Sequence, residues 1–191
     1  MEYSFNINLS LELILMEKYK GVKFQVIDLQ GKVPHKEKLL SLDKLLSKYL
    51  QPVENEGNMS IREGKGFLIK KAGSKMTQLK EEEIIFVEKV VEDRVYSSGG
   101  TPSSESRMHY AIYINRRDAK IILHFHDEQL LSKAFKAECG PFFYGSWELA
   151  DEIGKLSRKE DIIKIKEHGF VVIAKDEEDL IKKMGELMKN K

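Results

Sequence analysis

The sequence lacks several features that are typical of particular classes of protein. It has one cysteine, Cys139, which excludes an intramolecular disulfide and suits a reducing compartment. No apolar run approaches the roughly 18–20 residues of a membrane-spanning helix, and no signal-peptide pattern opens the chain. Its 32 basic and 31 acidic residues leave a formal net charge of +1, which gives no electrostatic case for nucleic-acid or membrane partners. We therefore expect a cytoplasmic protein.

The residues that are present are typical of a globular α/β protein. Hydrophobic residues make up 41% and charged residues 33%, so a buried core and a charged surface are both expected. Apolar periodicity predicts helices at 11–20, 37–50 (ended by Pro52), 104–115, 127–137, 146–156 and 176–188. It predicts strands at 22–29, 58–62, 66–71, 84–91, 119–126, 161–166 and 170–175, with a small-residue loop at 97–103. This alternation indicates a sheet covered by helices, in an order that the sequence leaves open. No repeat or linker divides the chain, so we predict a single domain over 1–191, with residues 1–50 as an N-terminal extension.

The strongest chemical signal is the pair of histidines in His124-Phe125-His126, at the end of an apolar strand. Residues i and i+2 of a strand point to the same face, about 6–7 Å apart along the chain, so both imidazoles can converge on one metal ion. Taken alone, the pair fits two ordinary polar residues at a strand end equally well.

His168 strengthens the metal hypothesis. It lies between Glu167 and Gly169 and between two apolar strands, where a glycine permits a sharp turn. Alone it is more typical of a structural turn residue. Three histidines with an open coordination position are, however, typical of a catalytic zinc site and not of a structural one. Of the five histidines, the other two are interpreted as a surface residue (His35) and as helix packing (His109).

Turns of small residues are the second signal. Such turns can present backbone N–H groups to an anion, and they contain Gly57 and Asn58, Ala72 to Ser74, and Ser103 and Ser104. Each turn is ordinary by itself. Glu105, which follows the last of them, also has an ordinary explanation, because acidic residues are common in a first helical turn.

Seven short segments follow one another in a specific order. They are Gly57-Asn58-Met59-Ser60-Ile61-Arg62, Phe67-Leu68-Ile69 with Ala72-Gly73, Ser103-Ser104-Glu105 with Met108-His109, Arg117-Asp118-Ala119, His124-Phe125-His126, Gly145-Ser146 with Glu148-Leu149, and His168-Gly169. This series resembles the class II aldolase/adducin family, which includes fuculose-phosphate aldolase, ribulose-phosphate 4-epimerase and methylthioribulose-phosphate dehydratase.

The resemblance implies the identity of the metal and the roles of the residues. It implies one Zn²⁺ per chain, with another divalent metal such as cobalt or manganese as the alternative, held by His124, His126 and His168, with Glu105 as both fourth ligand and acid/base group. The substrate phosphate would be bound by residues of the small-residue turns, which are Gly57, Asn58, Gly73, Ser103 and Ser104. The implied fold is a three-layer α/β fold, class II aldolase-like, with a central, mainly antiparallel sheet between helices. The implied assembly is a homotetramer with sites at subunit interfaces.

The sequence departs from the aldolase pattern in three places. Ala72 stands where the aldolases usually place a threonine in the phosphate turn. The stretch between His126 and Gly145 is shorter than theirs and lacks their proton-donating tyrosine, with which we do not equate Tyr144. The chain after His168 is also shorter. We therefore expect a retained metal core with altered specificity elements.

The resulting hypothesis is a zinc-dependent, aldolase-like lyase. It would act on a small phosphorylated sugar or hydroxy-carbonyl compound through a metal-stabilised enediolate. An epimerase or dehydratase of the same family is an alternative, because it needs related chemistry. A non-catalytic, adducin-like binding or assembly module is another, although it predicts lost metal ligands and all four positions are filled here. Ala72 slightly favours a further alternative, an unphosphorylated substrate.

Overall fold

A computed structural model describes residues 21–51 and 56–189. Within these ranges the strands are β1 (Gln25–Asp28), β2 (Asn58–Glu63), β3 (Gly66–Lys70), β4 (Ile84–Val91), β5 (Arg94–Ser98), β6 (Ile121–Phe125), β7 (Glu138–Cys139), β8 (Ile162–Ile165) and β9 (Gly169–Ala174). The α-helices are α1 (Lys36–Leu46), α2 (Ser106–Asn115), α3 (Glu128–Leu131), α4 (Trp147–Leu156) and α5 (Glu177–Met188). None of these helices has the length and apolar character required to cross a membrane.

The described strands form one sheet in the order β1-β5-β4-β3-β2-β6-β9-β8-β7. The two outermost pairs, β1 with β5 and β7 with β8, are parallel, and the pairs between them are antiparallel. Neighbouring residues of a strand point to opposite faces. Ile122 therefore packs in one core cluster with Ile153 of α4, whereas Leu123 packs in the other with Leu42 of α1 and Met184 of α5. The predicted three-layer α/β fold with a mainly antiparallel sheet is confirmed.

Most predicted elements are present with ends shifted by a few residues. β4 covers the predicted range of 84–91, whereas α1 ends at Leu46 and not at residue 50. β1 begins at Gln25, three residues later than predicted, where its pairing with Arg94 of β5 begins. The predicted helix at 11–20 and the role of Pro52 lie outside the described residues.

The predicted helix at 127–137 is wrong, because α3 covers only Glu128–Leu131. The chain then turns and forms β7, which pairs in parallel with β8 at the edge of the sheet. Ala137 and Cys139 are both buried at the two-residue spacing of a strand, and Phe135 packs on Phe170 with ring centroids 4.8 Å apart. Contacts with the sheet therefore outweigh the local helical preference.

β5 is a strand that the sequence does not predict, because the small-residue loop predicted at 97–103 includes Ser97 and Ser98. Ser97 is fully buried and pairs with both Asp28 and Val87. Its hydroxyl donates a hydrogen bond to the Gly100 carbonyl oxygen at 2.9 Å, which satisfies the buried polar group. This hydrogen bond thus allows Ser97 to occupy a buried strand position that apolar periodicity does not reveal.

Candidate metal centre

Three neighbouring strands near the middle of the sheet bring the predicted metal ligands together. His124 of β6 pairs with Asn58 of β2 on one side and with Val171 of β9 on the other. His126 lies just beyond the end of β6, and His168 lies just before the start of β9. Because β6 and β9 are antiparallel, the end of one and the start of the other meet at the same edge of the sheet. Glu105, the N-cap residue of α2, reaches the same place from the helical layer.

The three imidazoles form a nearly regular triangle. Each pair of ring centroids among His124, His126 and His168 is separated by 4.9 Å, with interplanar angles of 69°, 80° and 77°. One nitrogen atom from each ring lies within 4.8 Å of the other two. His124 is fully buried, whereas His126 and His168 are half-buried, so the cluster opens towards solvent on one side. The predicted metal-binding triad is therefore assembled within this chain.

Gly169 makes room for this cluster. A Cβ atom at this position would lie 2.5 Å from the Phe125 carbonyl oxygen, 2.9 Å from His126 Cδ2 and 3.1 Å from His124 Cε1. All three distances are shorter than ordinary van der Waals contact. The glycine is thus needed here for close approach, and it allows β9 to pass directly beside both rings.

Hydrogen bonding selects the tautomer of His124. Its Nδ1 atom lies 3.0 Å from the Phe170 carbonyl oxygen, and because a carbonyl oxygen only accepts, Nδ1 carries the proton and donates it. The lone pair of Nε2 then faces His126 Nε2 and Glu105 Oε2, each 3.1 Å away. A partner of this kind orients metal-binding histidines in known sites. On His126, Nδ1 lies 3.6 Å from Glu56 Oε2.

The environment keeps two of the imidazoles in the uncharged form that binds metal ions. Burial lowers the pKa of His126 to about 3, with further lowering by the nearby His124 and His168. The pKa of His124 is also well below its ordinary value, mainly because of burial and then because of His168 and His109. Neutral imidazole nitrogens are the ligands that zinc requires.

Glu105 completes the donor set. Its Oε2 atom accepts a hydrogen bond from Asn58 Nδ2 at 2.7 Å and lies 3.1 Å from His124 Nε2. Its Oε1 atom lies 3.6 Å from His168 Nε2 and, among the described residues, has no hydrogen-bond partner although it is buried. A buried carboxylate oxygen without a partner is costly unless a cation or substrate binds it.

The spacing of these donor atoms fits a metal ion. Ligand atoms at about 2.0–2.1 Å from a tetrahedral zinc ion lie about 3.4 Å from one another. His124 Nε2 lies 3.1 Å from both His126 Nε2 and Glu105 Oε2, and His168 Nε2 lies 3.6 Å from Glu105 Oε1. The donor set of three imidazoles and one carboxylate therefore agrees with a single bound cation in chemistry, and these three distances agree with it in spacing.

Two of the turns predicted to bind phosphate lie side by side. The Ala72 N–H donates to the Thr101 carbonyl oxygen, and the Ser103 N–H donates to the Lys70 carbonyl oxygen, both at 3.0 Å. These bonds place the turn that contains Gly73 (φ 82°) beside the one that contains Ser103 and Ser104.

The remaining two residues predicted to bind phosphate lie next to the metal cluster. Gly57 packs against β6, since a Cβ atom there would lie 2.8 Å from the His124 carbonyl oxygen. The Asn58 side chain bonds to Glu105 and to His109. Direct phosphate binding by these residues stays a prediction.

His109 is the residue of this site that the sequence interpretation missed. It is fully buried, and its two ring nitrogens contact Asn58 and Ser60. A signal was present, because His109 is four residues after Glu105 on one helical face and Ser60 is two residues after Asn58 on one strand face. Helix packing is thus only part of its environment.

Comparison with known proteins identifies the family. Residues 37–190 match the family model described as "Class II Aldolase and Adducin N-terminal domain". The chain belongs to this family. The prediction of an enzyme of the class II aldolase type, a lyase, is confirmed by this relationship and by the relatives described next.

Relatives of this class II aldolase family member include two proteins named L-fuculose phosphate aldolase. The protein from Methanocaldococcus jannaschii is 34% identical over 142 residues, which cover 65% of this chain and 75% of the relative. The protein from Methanococcus maripaludis is 31% identical over 144 residues, covering 65% and 76%.

Solved structures share the fold. An L-fuculose 1-phosphate aldolase superposes with a TM-score of 0.70 at 20% identity and covers 84% of each chain. A sugar-phosphate aldolase from Thermotoga maritima has a TM-score of 0.67 at 18% identity, covering 81% of this chain and 90% of the other.

Proposed function

We propose that this chain is a zinc-dependent aldolase that cleaves a small phosphorylated sugar or hydroxy-carbonyl compound, of the L-fuculose 1-phosphate type. The observation that carries the proposal is the unpartnered Oε1 atom of Glu105 beside three imidazoles. The names of the curated relatives support the substrate class. The predicted phosphate-binding residues support it as well, because two of their turns lie together close to Glu105.

Three imidazoles and one carboxylate favour zinc over harder cations such as magnesium or calcium, which prefer oxygen ligands. His124, His126, His168 and Glu105 would hold the ion. When bound, zinc would supply positive charge beside the substrate's carbonyl and hydroxyl oxygens, where negative charge develops during cleavage.

In the proposed reaction Glu105 moves the proton. Aldol cleavage breaks the bond between a hydroxyl-bearing carbon and the carbon next to a carbonyl. The hydroxyl loses its proton and becomes an aldehyde, and the other fragment gains a proton at carbon. Asn58 holds Oε2 of Glu105 by a 2.7 Å hydrogen bond, so that Oε1 is the atom that transfers protons. The turns with Gly57, Gly73, Ser103 and Ser104 would hold the phosphate and so fix the substrate's position.

The proposal extends to assembly and organisation. We propose a cytoplasmic homotetramer, made of one class II aldolase-like domain over residues 1–191 with a variant N-terminal part over 1–50. Phe143 at 43% and Trp147 at 45% are two of the five large hydrophobic side chains that are exposed among the described residues, and their proximity in sequence supports an oligomer. Light scattering at several concentrations tests it, and a monomer at every concentration would contradict it.

The first experiment measures bound metal per chain by mass spectrometry in wild type, His126→Ala and Glu105→Gln. We expect about one zinc ion per wild-type chain and a large loss in His126→Ala. His35→Ala is the matched control, because His35 is exposed, contacts Glu63 and lies outside the cluster. Wild type that neither contains nor takes up metal would refute the zinc-enzyme proposal and favour an adducin-like module.

The second experiment identifies the reaction. L-Fuculose 1-phosphate is incubated with the zinc-loaded enzyme, and release of dihydroxyacetone phosphate is followed. Glu105→Gln should lose at least about 100-fold in kcat, since general acid–base catalysis contributes 10²–10⁴-fold. A product of unchanged mass would indicate an epimerase, and loss of one water a dehydratase. Insensitivity to inorganic phosphate would favour an unphosphorylated substrate.

A further inference from the structure

A buried row of hydrogen bonds leads away from Glu105 into the core. Asn58 Nδ2 donates to Glu105 Oε2 at 2.7 Å, and the other end of the same amide, Oδ1, is in contact with His109 Nε2. His109 Nδ1 lies 2.6 Å from Ser60 Oγ, which lies 2.8 Å from the Tyr113 hydroxyl. The row thus connects the candidate metal centre to the interface between β2 and α2.

The directions of the bonds from Ser60 to Glu105 follow from the first member of the row. The Glu105 carboxylate accepts, so the amide of Asn58 turns its NH₂ group to Glu105 and its oxygen to His109. His109 must then donate from Nε2, which leaves Nδ1 of the neutral ring as an acceptor. Ser60 therefore donates to Nδ1. The Tyr113 hydroxyl has two acceptors for its single proton, Ser60 Oγ at 2.8 Å and the Lys120 carbonyl oxygen at 3.3 Å. From Ser60 onwards, every bond in the row is directed towards Glu105.

The five residues of this row are all buried. His109 and Ser60 are fully buried, and Asn58, Glu105 and Tyr113 are each at most 5% exposed, so water does not compete for their hydrogen bonds. The Asn58 amide has a near-symmetric shape and could fit with either end towards Glu105. If it were reversed, its oxygen would face the carboxylate, and His109 would have to carry its proton on Nδ1 to accept from the NH₂ group.

We propose that His109 is a positioning residue for the reaction, because its Nε2 proton holds the Asn58 amide oxygen and so keeps the opposite N–H group bonded to Oε2 of Glu105, with Oε1 free. It acts through Asn58 and touches neither the metal nor the substrate. This inference rests on the proposed function where it concerns kcat. The direction of the hydrogen bonds does not depend on that function.

A spectroscopic experiment tests the direction of the row without any activity assay. Two-dimensional ¹⁵N NMR correlations of histidine rings at neutral pH distinguish the two neutral tautomers, and loss of one signal set in His109→Gln assigns it. We expect His109 to carry its proton on Nε2 in zinc-loaded wild type. A proton on Nδ1 would overturn the proposal.

A mutant series tests the effect on the site. His109→Gln places an amide N–H near the original Nε2 and should retain most activity, whereas His109→Leu removes the donor. Residues behind metal-site groups typically contribute 10–100-fold to activity or metal affinity. We expect His109→Leu to lower kcat by about that factor, with KM changed by less than about threefold. Gln and Leu variants with equal kcat would contradict the inference.

The double mutant separates positioning from a general structural effect. If His109 acts through Asn58, then His109→Leu should cause little further loss of kcat in an Asn58→Ala background. Independent, multiplying losses would overturn the proposal. Phe67→Leu is the control, because Phe67 lies beside the His109 ring, with centroids 6.4 Å apart, and makes no hydrogen bond in the row. It should lower thermal stability while kcat is retained.

Zinc affinity, measured by competition with a chromophoric chelator, distinguishes failure of the inference from failure of the proposed function. We expect His109→Leu to weaken zinc binding about 10–100-fold in the wild-type background and to have little effect in Asn58→Ala. If wild type binds zinc but cleaves no sugar phosphate, the function fails while this affinity test still decides the inference. If wild type is active and His109→Leu changes neither kcat nor affinity, the inference alone fails.

Discussion

The substitution Gly169→Ala should damage the metal centre without changing any proposed ligand. An added Cβ would be 2.5 Å from the Phe125 carbonyl oxygen, about 0.9 Å inside the 3.4 Å limit of ordinary contact. It would also be 2.9 Å from His126 Cδ2 and 3.1 Å from His124 Cε1, so β6 and both rings must move by several tenths of an ångström. Overpacking of this kind costs about 1–3 kcal/mol of unfolding free energy. For a chain of this size the melting temperature should fall by roughly 2–12 °C.

The functional loss should exceed the loss of stability. Metal ligands must be held to within about 0.5 Å of their productive positions, and a 1 Å misplacement can cost about 100-fold in rate. We expect a zinc dissociation constant raised at least about tenfold and a kcat/KM lowered by about 100-fold. Both are measured on folded protein at 25 °C, by chelator competition and by the cleavage assay.

Gly185→Ala is the matched control for this prediction. Gly185 lies in α5, and a Cβ atom there would meet nothing within 4 Å. Because alanine favours helix over glycine by about 1 kcal/mol, this variant should be slightly more stable and bind zinc normally. If Gly169→Ala had the melting temperature and zinc affinity of wild type, the close packing of β9 against the histidine rings would be refuted.

Three further results are expected. When zinc is present at 100 times its dissociation constant, removing it should lower the unfolding free energy by about 2.7 kcal/mol. A chelator should therefore lower the melting temperature of wild type but not that of His126→Ala. Burial lowers the pKa of His109 to about 4, below the 6.5 of an unfolded histidine. As the pH drops from 6.5 towards 4, the unfolded state therefore takes up a proton that the folded state does not, and the free energy of unfolding falls. Between pH 7.5 and 5, metal-free wild type should therefore lose about 2 kcal/mol more than His109→Gln in urea unfolding, and equal losses would contradict this. Asp43→Ala removes the acceptor of the Thr77 and Leu79 N–H groups, at 2.5 and 2.9 Å, and should lower unfolding free energy by about 2 kcal/mol with zinc content unchanged.

Local patterns predicted the elements whose periodicity agrees with their packing. β4 lies where its apolar run predicts it. The predicted first residues of α4 and α5, Ser146 and Asp176, are the N-cap residues of these helices, which begin one residue later. The helix predicted after β6 is wrong because the apolar residues of 127–137 permit a helix, whereas the edge of β8 offers backbone hydrogen bonds to β7. No local pattern reports the presence of such a partner strand.

The sequence by itself determined the donor chemistry of the site. Two histidines at strand spacing, a third before a glycine and a glutamate at a helix start define a set of ligands suited to one cation, and the order of segments indicates the family. Only the tertiary structure decided how these groups meet. Adjacent antiparallel strands β6 and β9 bring His124, His126 and His168 to one edge, and contacts between β2 and α2 join His109 to Glu105 through Asn58. Hydrogen-bond direction, and with it the free oxygen of Glu105, depends on distances between residues far apart in the chain. A linear pattern does not contain those distances.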